Sequence, residues 1–187
     1  MAMYIVAGKH KGRRIESPEG RDVRPTAART REAVFNILAH GRFGEKELLK
    51  GRVADVFCGS GAMGLEALSR GAKSITFVDK SRDSLEAAEY NTKQFGEMAN
   101  VRLIRADSSQ LPPAPHPHEI LLIDPPYRSG LAVGALNTAR SGSWLIPEGV
   151  AVVEQAWKEP LVVPEGWTLL DERRYGNTRV ALLELQG

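Results

Sequence analysis

Hydrophobic positions along the chain fall into short runs, and from Gly51 onward these runs alternate between two periods. Val53 to Phe57 is short, β-branched and apolar apart from Asp55, the pattern of a buried central strand. Beyond it the pattern predicts a helix over 62–70 ended by Gly71, a strand over 74–78, a helix over 82–95 ended by Gly96, and a strand over 101–105. A loop containing Pro112, Pro113, Pro115 and Pro117 follows. The continuous apolar run after it, Glu119 to Ile123, must be covered on both faces and so belongs in mid-sheet. A helix near 130–140 and a strand over 150–154 complete a parallel set. Trp167–Tyr175 and Arg179–Leu185, around Gly176-Asn177, predict a closing antiparallel hairpin.

Upstream, Met3–Ala7 and Arg13–Glu16 can pair as a small hairpin around residues 8–12. Ala27 to about Ala39 predicts a helix with Val34, Ile37 and Leu38 on one face. Thr26 is its expected N-cap, and Pro25 holds Arg24 extended. The expected fold class is α/β, doubly wound, with a C-terminal antiparallel hairpin and a small N-terminal hairpin-plus-helix extension.

Candidate chemistry sits where strands end. Gly59, Ser60, Gly61 and Gly64 directly follow the first buried strand and open a helix, the unit that binds nucleotide-like ligands. Asp79 closes the next strand, placed to accept both hydroxyls of a ribose. Asp55 lies inside its strand, where an unpaired carboxylate is costly to bury; a dinucleotide fold does not ask for that acid, whereas a cofactor carrying an ammonium group does. Asp124-Pro125-Pro126-Tyr127 follows the mid-sheet strand and should face the glycine loop across one crevice. Asp124 and the Pro125 carbonyl can accept hydrogens from an amino group in the plane of a ring, and Tyr127 offers an aromatic face for stacking.

Composition narrows the setting. At 187 residues the chain suits one well-buried domain with a short appendage. No run of eighteen apolar residues and no signal-peptide pattern is present, so a cytoplasmic protein is expected. The single cysteine, Cys58, leaves no internal disulfide. His116 and His118 fall in the proline-rich loop with no cysteine nearby, and no metal site is expected. Charge is uneven: residues 1–42 carry nine Lys or Arg against four acids, the remainder sixteen against nineteen. A basic arm on a mildly acidic body suggests a polyanionic partner. Lys9, Lys11, Arg13, Arg14, Arg24, Arg29 and Arg31 are the candidate contacts to nucleic-acid phosphates. Arg29 and Arg31 in the first turns of a helix oppose its macrodipole, which an adjacent anion would relieve.

Several motifs together carry a family resemblance. Asp55-x-Phe57-Cys58-Gly59-Ser60-Gly61, Asp79, Asp107 and Asp124-Pro125-Pro126-Tyr127 resemble the S-adenosylmethionine-dependent amino-methyltransferases. Gly8-x-x-x-Gly12-Arg13, Arg24-Pro25-Thr26, Arg31-Glu32-x-x-Phe35-Asn36 and Tyr175-Gly176-x-Thr178 look like the bacterial RsmD family, which methylates the 2-amino group of a guanine in 16S ribosomal RNA. The resemblance spans almost the whole chain and implies a Rossmann-like methyltransferase sheet over residues 43–187 with an RNA-contacting extension over 1–42. It implies that Asp79 holds the cofactor ribose, with Lys80 and Phe57 beside it, and that Asp107 and Ser108 meet the adenine edge. Gly59, Ser60 and Gly61 would pass the methionine part, Asp55 its ammonium, and Thr26 its carboxylate. The implied partner is 16S RNA or a small-subunit assembly particle, met by a monomer. Readings that stay open are an adenine or protein-glutamine acceptor, a nicotinamide-dependent oxidoreductase, and a non-catalytic RNA-binding module.

Overall fold

The computed structural model describes residues 3–17, 25–126 and 129–186; for residues 25–27 and 42 it describes the backbone alone. In chain order the elements are β1 (Met3–Tyr4), β2 (Arg14–Ile15), α1 (Pro25–Ala39), α2 (Gly41–Glu45), β3 (Arg52–Val56), α3 (Ala62–Ser69), β4 (Ser74–Asp79), α4 (Arg82–Phe95), β5 (Val101–Arg105), β6 (His118–Ile123), α5 (Leu131–Ser141), β7 (Leu145–Ala156), β8 (Trp167–Tyr175) and β9 (Thr178–Leu185). Strands β1 and β2 pair antiparallel as a separate ribbon. The other seven form one sheet in the order β5-β4-β3-β6-β7-β9-β8. The first five run parallel, while β9 and β8 are antiparallel.

The chain winds outward from β3 in two directions, to β4 and β5 on one side and to β6 and β7 on the other. Ligand crevices in open α/β sheets form at the carboxyl ends of the strands flanking such a switch point. Residue alternation divides the core between the two faces. Val53, Ile120, Leu122 and Val152 pack against α1 and α3, with Val34, Phe35, Leu38 and Leu65. Ala54, Val56, Leu121, Ile123 and Val153 face the other way, onto Leu136 and Ala139 of α5 and onto Trp144. Ile5 and Ile15 of the ribbon belong to the first of these clusters, so the N-terminal segment and the sheet share a core.

Three details depart from the sequence expectations. Strand β7 runs twelve residues, well beyond 150–154: β9 pairs with it from Val150 to Ala156, and β6 pairs at Leu145 and again from Val150 to Val153, with a register shift across the stretch that holds Pro147 and Gly149. The short helix α2 was not foreseen. His118 lies not in the proline-rich loop but at the start of β6, fully buried. Its Nε2 is 2.9 Å from Thr76 Oγ1, its Nδ1 is 3.0 Å from the Trp144 carbonyl, and its ring stacks on Trp144 at 5.5 Å.

The ribbon is held by one buried acid. Glu66 of α3, with no solvent exposure, accepts from the backbone amides of Val6 at 2.8 Å and Ala7 at 3.0 Å, and from Arg70 Nε at 2.8 Å. The tip, residues 8–12, docks on the last residue of α3: the Lys9 amide donates to the Ser69 carbonyl and the His10 amide to Ser69 Oγ. Since α3 starts at the carboxyl end of β3 and runs back along the sheet, the tip sits at the end opposite the crevice.

Candidate active site

At the end of β3 the backbone turns sharply. The amides of Phe57 and Cys58 both donate to the Val78 carbonyl, and Phe57 itself takes φ +70°, a left-handed conformation uncommon outside glycine. Gly59 at φ +54° and Gly61 at φ +80° continue the turn into α3. Gly64 serves packing: a Cβ there would lie 2.4 Å from Phe77 Cε1 and 2.8 Å from Ile75 Cγ2. Helix α3 therefore lies close on the sheet, with its amino end at the crevice.

The predicted acids are first of all ties that shape this loop. Asp55 is 2 % exposed, and its Oδ2 accepts from the Gly64 amide at 2.8 Å, capping α3 from inside the strand. Burial pushes its pKa up to about 7, with help from Asp124 and Asp79 and against the Gly64 hydrogen bond. Asp79 Oδ2 accepts from the Gly59 amide at 3.0 Å, and its Oδ1 from the Ser81 amide at 2.9 Å, fastening the glycine loop to the end of β4. Asp107 Oδ1 accepts from the Ser109 amide and hydroxyl at 2.9 and 2.6 Å. Those Ser109 bonds, hydroxyl first, hold its pKa below the ordinary value.

Around these ties runs a cleft lined by Phe57, Asp79, Lys80, Asp107, Ser108 and Leu131. It offers apolar walls with carboxylates at two strand ends, the arrangement that takes a flat base and a diol. Ser60 is buried, and its carbonyl accepts from Asn91 Nδ2 at 3.0 Å.

Asp124 reaches the same crevice from the other side of the switch point. Val56 pairs with Ile123 in the parallel register of β3 and β6, so Phe57 and Asp124 leave the sheet together. Pro125 is buried and Pro126 exposed. Asp124 keeps solvent on one side, yet the protein packed around its carboxyl pushes its pKa up to about 6. Tyr127 and Arg24 lie outside the described residues. Thr26 falls in the first turn of α1, with only its backbone described.

The basic residues separate into two groups. Lys11, Arg14 and Arg29 are exposed. Lys9 is exposed too, but its Nζ lies 2.6 Å from Glu97 Oε1, which His10 Nε2 shares at 2.6 Å. Burial raises the Glu97 pKa, and these partners overcome it, holding the carboxyl at about 2. Arg13 stacks on Phe95 at 4.4 Å and donates to the Gln94 carbonyl. Arg31 corrects the expectation outright. At 3 % exposure, with its NH2 group donating to the Tyr4 carbonyl at 2.6 Å and Nε 3.6 Å from Glu66, it is a core cation closed to phosphate. The anion that relieves its position in α1 is Glu66.

One residue of this region was not singled out from sequence. Glu154 of β7 is 8 % exposed on the α1 face, and its pKa is raised well above the ordinary value by burial and by Asp124. The available signal was a lone acid inside Val150–Val153, the same signature that marked Asp55.

A mixed sheet wound from a central strand, a glycine loop at the switch point and Asp-Pro-Pro on its far side define a Rossmann-like methyltransferase. The chain belongs to the family described as Conserved hypothetical protein 95, the RsmD family, whose model matches residues 3–184. It is 32 % identical over 182 residues to the Ribosomal RNA small subunit methyltransferase D of Escherichia coli strain K12, covering 96 % of this chain and 88 % of that one. The Haemophilus influenzae protein of the same description is 33 % identical over 176 residues, covering 92 % and 88 %. The solved structure of the Escherichia coli yhhF protein superposes with a TM-score of 0.82 at 30 % identity, over 100 % of this chain and 99 % of that one.

Proposed function

We propose that this chain transfers a methyl group from S-adenosylmethionine to the exocyclic 2-amino group of a guanine in 16S ribosomal RNA. The observation that carries the proposal is the convergence of the glycine loop and Asp124 at one switch point. The relatives described as ribosomal RNA small subunit methyltransferases supply the substrate class.

The residues present suit this cofactor. Asp79 would take the ribose hydroxyls, with Phe57 and Lys80 beside it, and Asp107 and Ser108 the adenine edge. Gly59, Ser60 and Gly61 would pass the methionine part. Asp55 would face its ammonium, directly or through water, with the oxygen not tied to Gly64. Thr26, at the start of α1, would meet the carboxylate. When bound, the cofactor supplies a methyl group on a sulfonium sulfur, which accepts the lone pair of the amino nitrogen while the sulfur keeps the old bonding pair. Asp124 and the Pro125 carbonyl orient the amino group by accepting its two hydrogens. Asp124 also stabilises the positive charge that grows on nitrogen. Tyr127 would receive the face of a base that has left its stack.

Within the extension over 1–42, exposed Lys11 and Arg29 are candidate cations for RNA phosphates, as is Arg24, which lies outside the described residues; Arg14, paired with Glu16, and Lys9 and Arg13 would have to exchange an internal partner. Residues 43–187 form the methyltransferase domain of this reading, working as a cytoplasmic monomer. Among the described residues no helix is long and apolar enough to cross a membrane. Nucleoside mass spectrometry of a strain lacking the gene tests the acceptor: N2-methylguanosine in 16S RNA should fall, and an unchanged level with altered N6-methyladenine in DNA would favour the adenine reading. Titration of the purified protein should show S-adenosylmethionine binding in preference to NADH.

A further inference from the structure

We propose that Glu154 is a positioning residue for Asp124: its protonated carboxyl donates a hydrogen to the Asp124 carboxylate, keeping Asp124 ionised and turned toward the amino group. This inference rests on the methyl-transfer reading above.

Placement comes first. Val153 pairs with Ile123 in the parallel register of β6 and β7, so Glu154 and Asp124 are the next neighbours across the two strands. Strands lie about 4.8 Å apart, within reach of two carboxyl groups on one face. Alternation puts Glu154 on the face of Val150 and Val152, the face that Asp55 shares with Val53. Three acids from three adjacent strands therefore converge under α1. Among the described residues, the charged groups acting on Glu154 are Asp124, Asp55 and Arg31 of α1, and its neighbour on β9 is the apolar Val180. Arg31 is shared: it also answers to Glu66, and its hydrogen bond goes to the Tyr4 carbonyl.

Chemistry follows from that placement. Glu154 is over nine-tenths buried, one residue beyond the Val153–Ile123 pair and on the same face as Asp55. A carboxylate left so, beside two more acids, would cost far more than an apolar side chain of the same size. Burial first, and then the Asp124 charge, outweigh Arg31 and raise the Glu154 pKa well above the ordinary value, which favours the neutral carboxyl. A neutral carboxyl has one O–H to give, and the acid next to it across the two strands is Asp124, whose pKa, raised by burial to about 6, still lies below neutral pH. With one Asp124 oxygen engaged by Glu154, the other is fixed for the substrate N–H. As the N–C bond forms, one proton leaves nitrogen for Asp124 and passes to water on its exposed side. Glu154 keeps its own proton throughout.

The test uses the full chain and two variants, E154Q and E154M, with 13C NMR titration of the carboxyl carbons and methyl transfer to under-methylated small subunits across pH. Wild type should retain a protonated glutamate at neutral pH whose signal is absent in E154Q. E154M should lose roughly 10- to 100-fold in kcat, short of the ~10²–10⁴-fold attached to groups that move the proton themselves. Its KM for cofactor should not change. E154Q, which still donates a hydrogen but does not ionise, should stay within about threefold of wild type and lose the part of the alkaline decline due to Glu154. An ionised Glu154 at neutral pH in the wild type overturns the inference, as does E154M turning over at the wild-type rate. Should E154M not fold, the NMR titration and the E154Q pH profile decide. Wild type that transfers no methyl while Glu154 is protonated and Asp124 ionised would sink the functional reading and leave the proton placement standing.

Discussion

Val56 and Ile123 are register partners at the carboxyl ends of adjacent parallel strands, and this one pairing sets the glycine loop beside Asp124. A slip of a single residue would turn Asp124 to the α5 face, away from Asp55 and α1. Asp124→Asn keeps the shape and removes the charge. It should lower single-turnover methyl transfer roughly 10²–10⁴-fold while leaving RNA affinity within about threefold. Filter binding beside rapid-quench kinetics checks both, and retained turnover would take Asp124 out of the chemistry.

Helix α3 reaches the sheet only because residue 64 lacks a side chain. Gly64→Ala puts a methyl carbon 2.4 Å from Phe77 Cε1 inside the core, so the helix must shift. Overpacking of this kind costs about 1–3 kcal/mol, which urea unfolding will read directly. Cofactor affinity should fall with it, since Gly64 also donates to Asp55.

His118 makes stability depend on pH. Burial first of all, against the Trp144 hydrogen bond, lowers its pKa from 6.5 to about 4. The unfolded chain thus binds a proton between those values that the folded chain refuses. Stability contributed by the neutral ring is complete above pH 6.5 and is lost as pH falls toward 4, by up to about 3 kcal/mol. Buried acids such as Glu154 act in the opposite sense, so the check is the difference between wild type and His118→Gln in denaturation curves from pH 7.5 to 4. The gap should narrow steadily over that range.

Glu66 ties the N-terminal ribbon to the catalytic body. Glu66→Gln leaves Arg31 and Arg70 without their buried anion and replaces an acceptor of two backbone amides with a group that is half donor. Removing one partner of a buried pair typically costs about 3–5 kcal/mol. Amide exchange at Val6 and Ala7 should rise before that of β3, and limited proteolysis should cut within residues 8–17 before it cuts the sheet.

Much of this was legible in the chain. The apolar run of β6 and the glycine-ended helices α3 and α4 announce themselves through period and punctuation, and the acids at strand ends through their position. The charge of Arg31 points to a surface role, but its spacing points inward: it stands three, four and seven residues before Val34, Phe35 and Leu38, on the buried face of α1. Glu154 is not legible in the chain because one acid in a strand carries no partner in sequence; only the register with β6 sets it beside Asp124. The tip at residues 8–12 was foreseen as a hairpin turn. Its place at the far end of the sheet depends on Ser69 and Glu97, which lie some sixty to ninety residues further on.

Labelled methyl transfer to small ribosomal subunits from cells lacking the enzyme, followed by mapping of the labelled nucleotide, tests the account most directly. Label on the 2-amino group of a guanine in 16S RNA, dependent on Asp124, is the predicted result. Label on another base or none at all, from a protein that binds the cofactor, would contradict it.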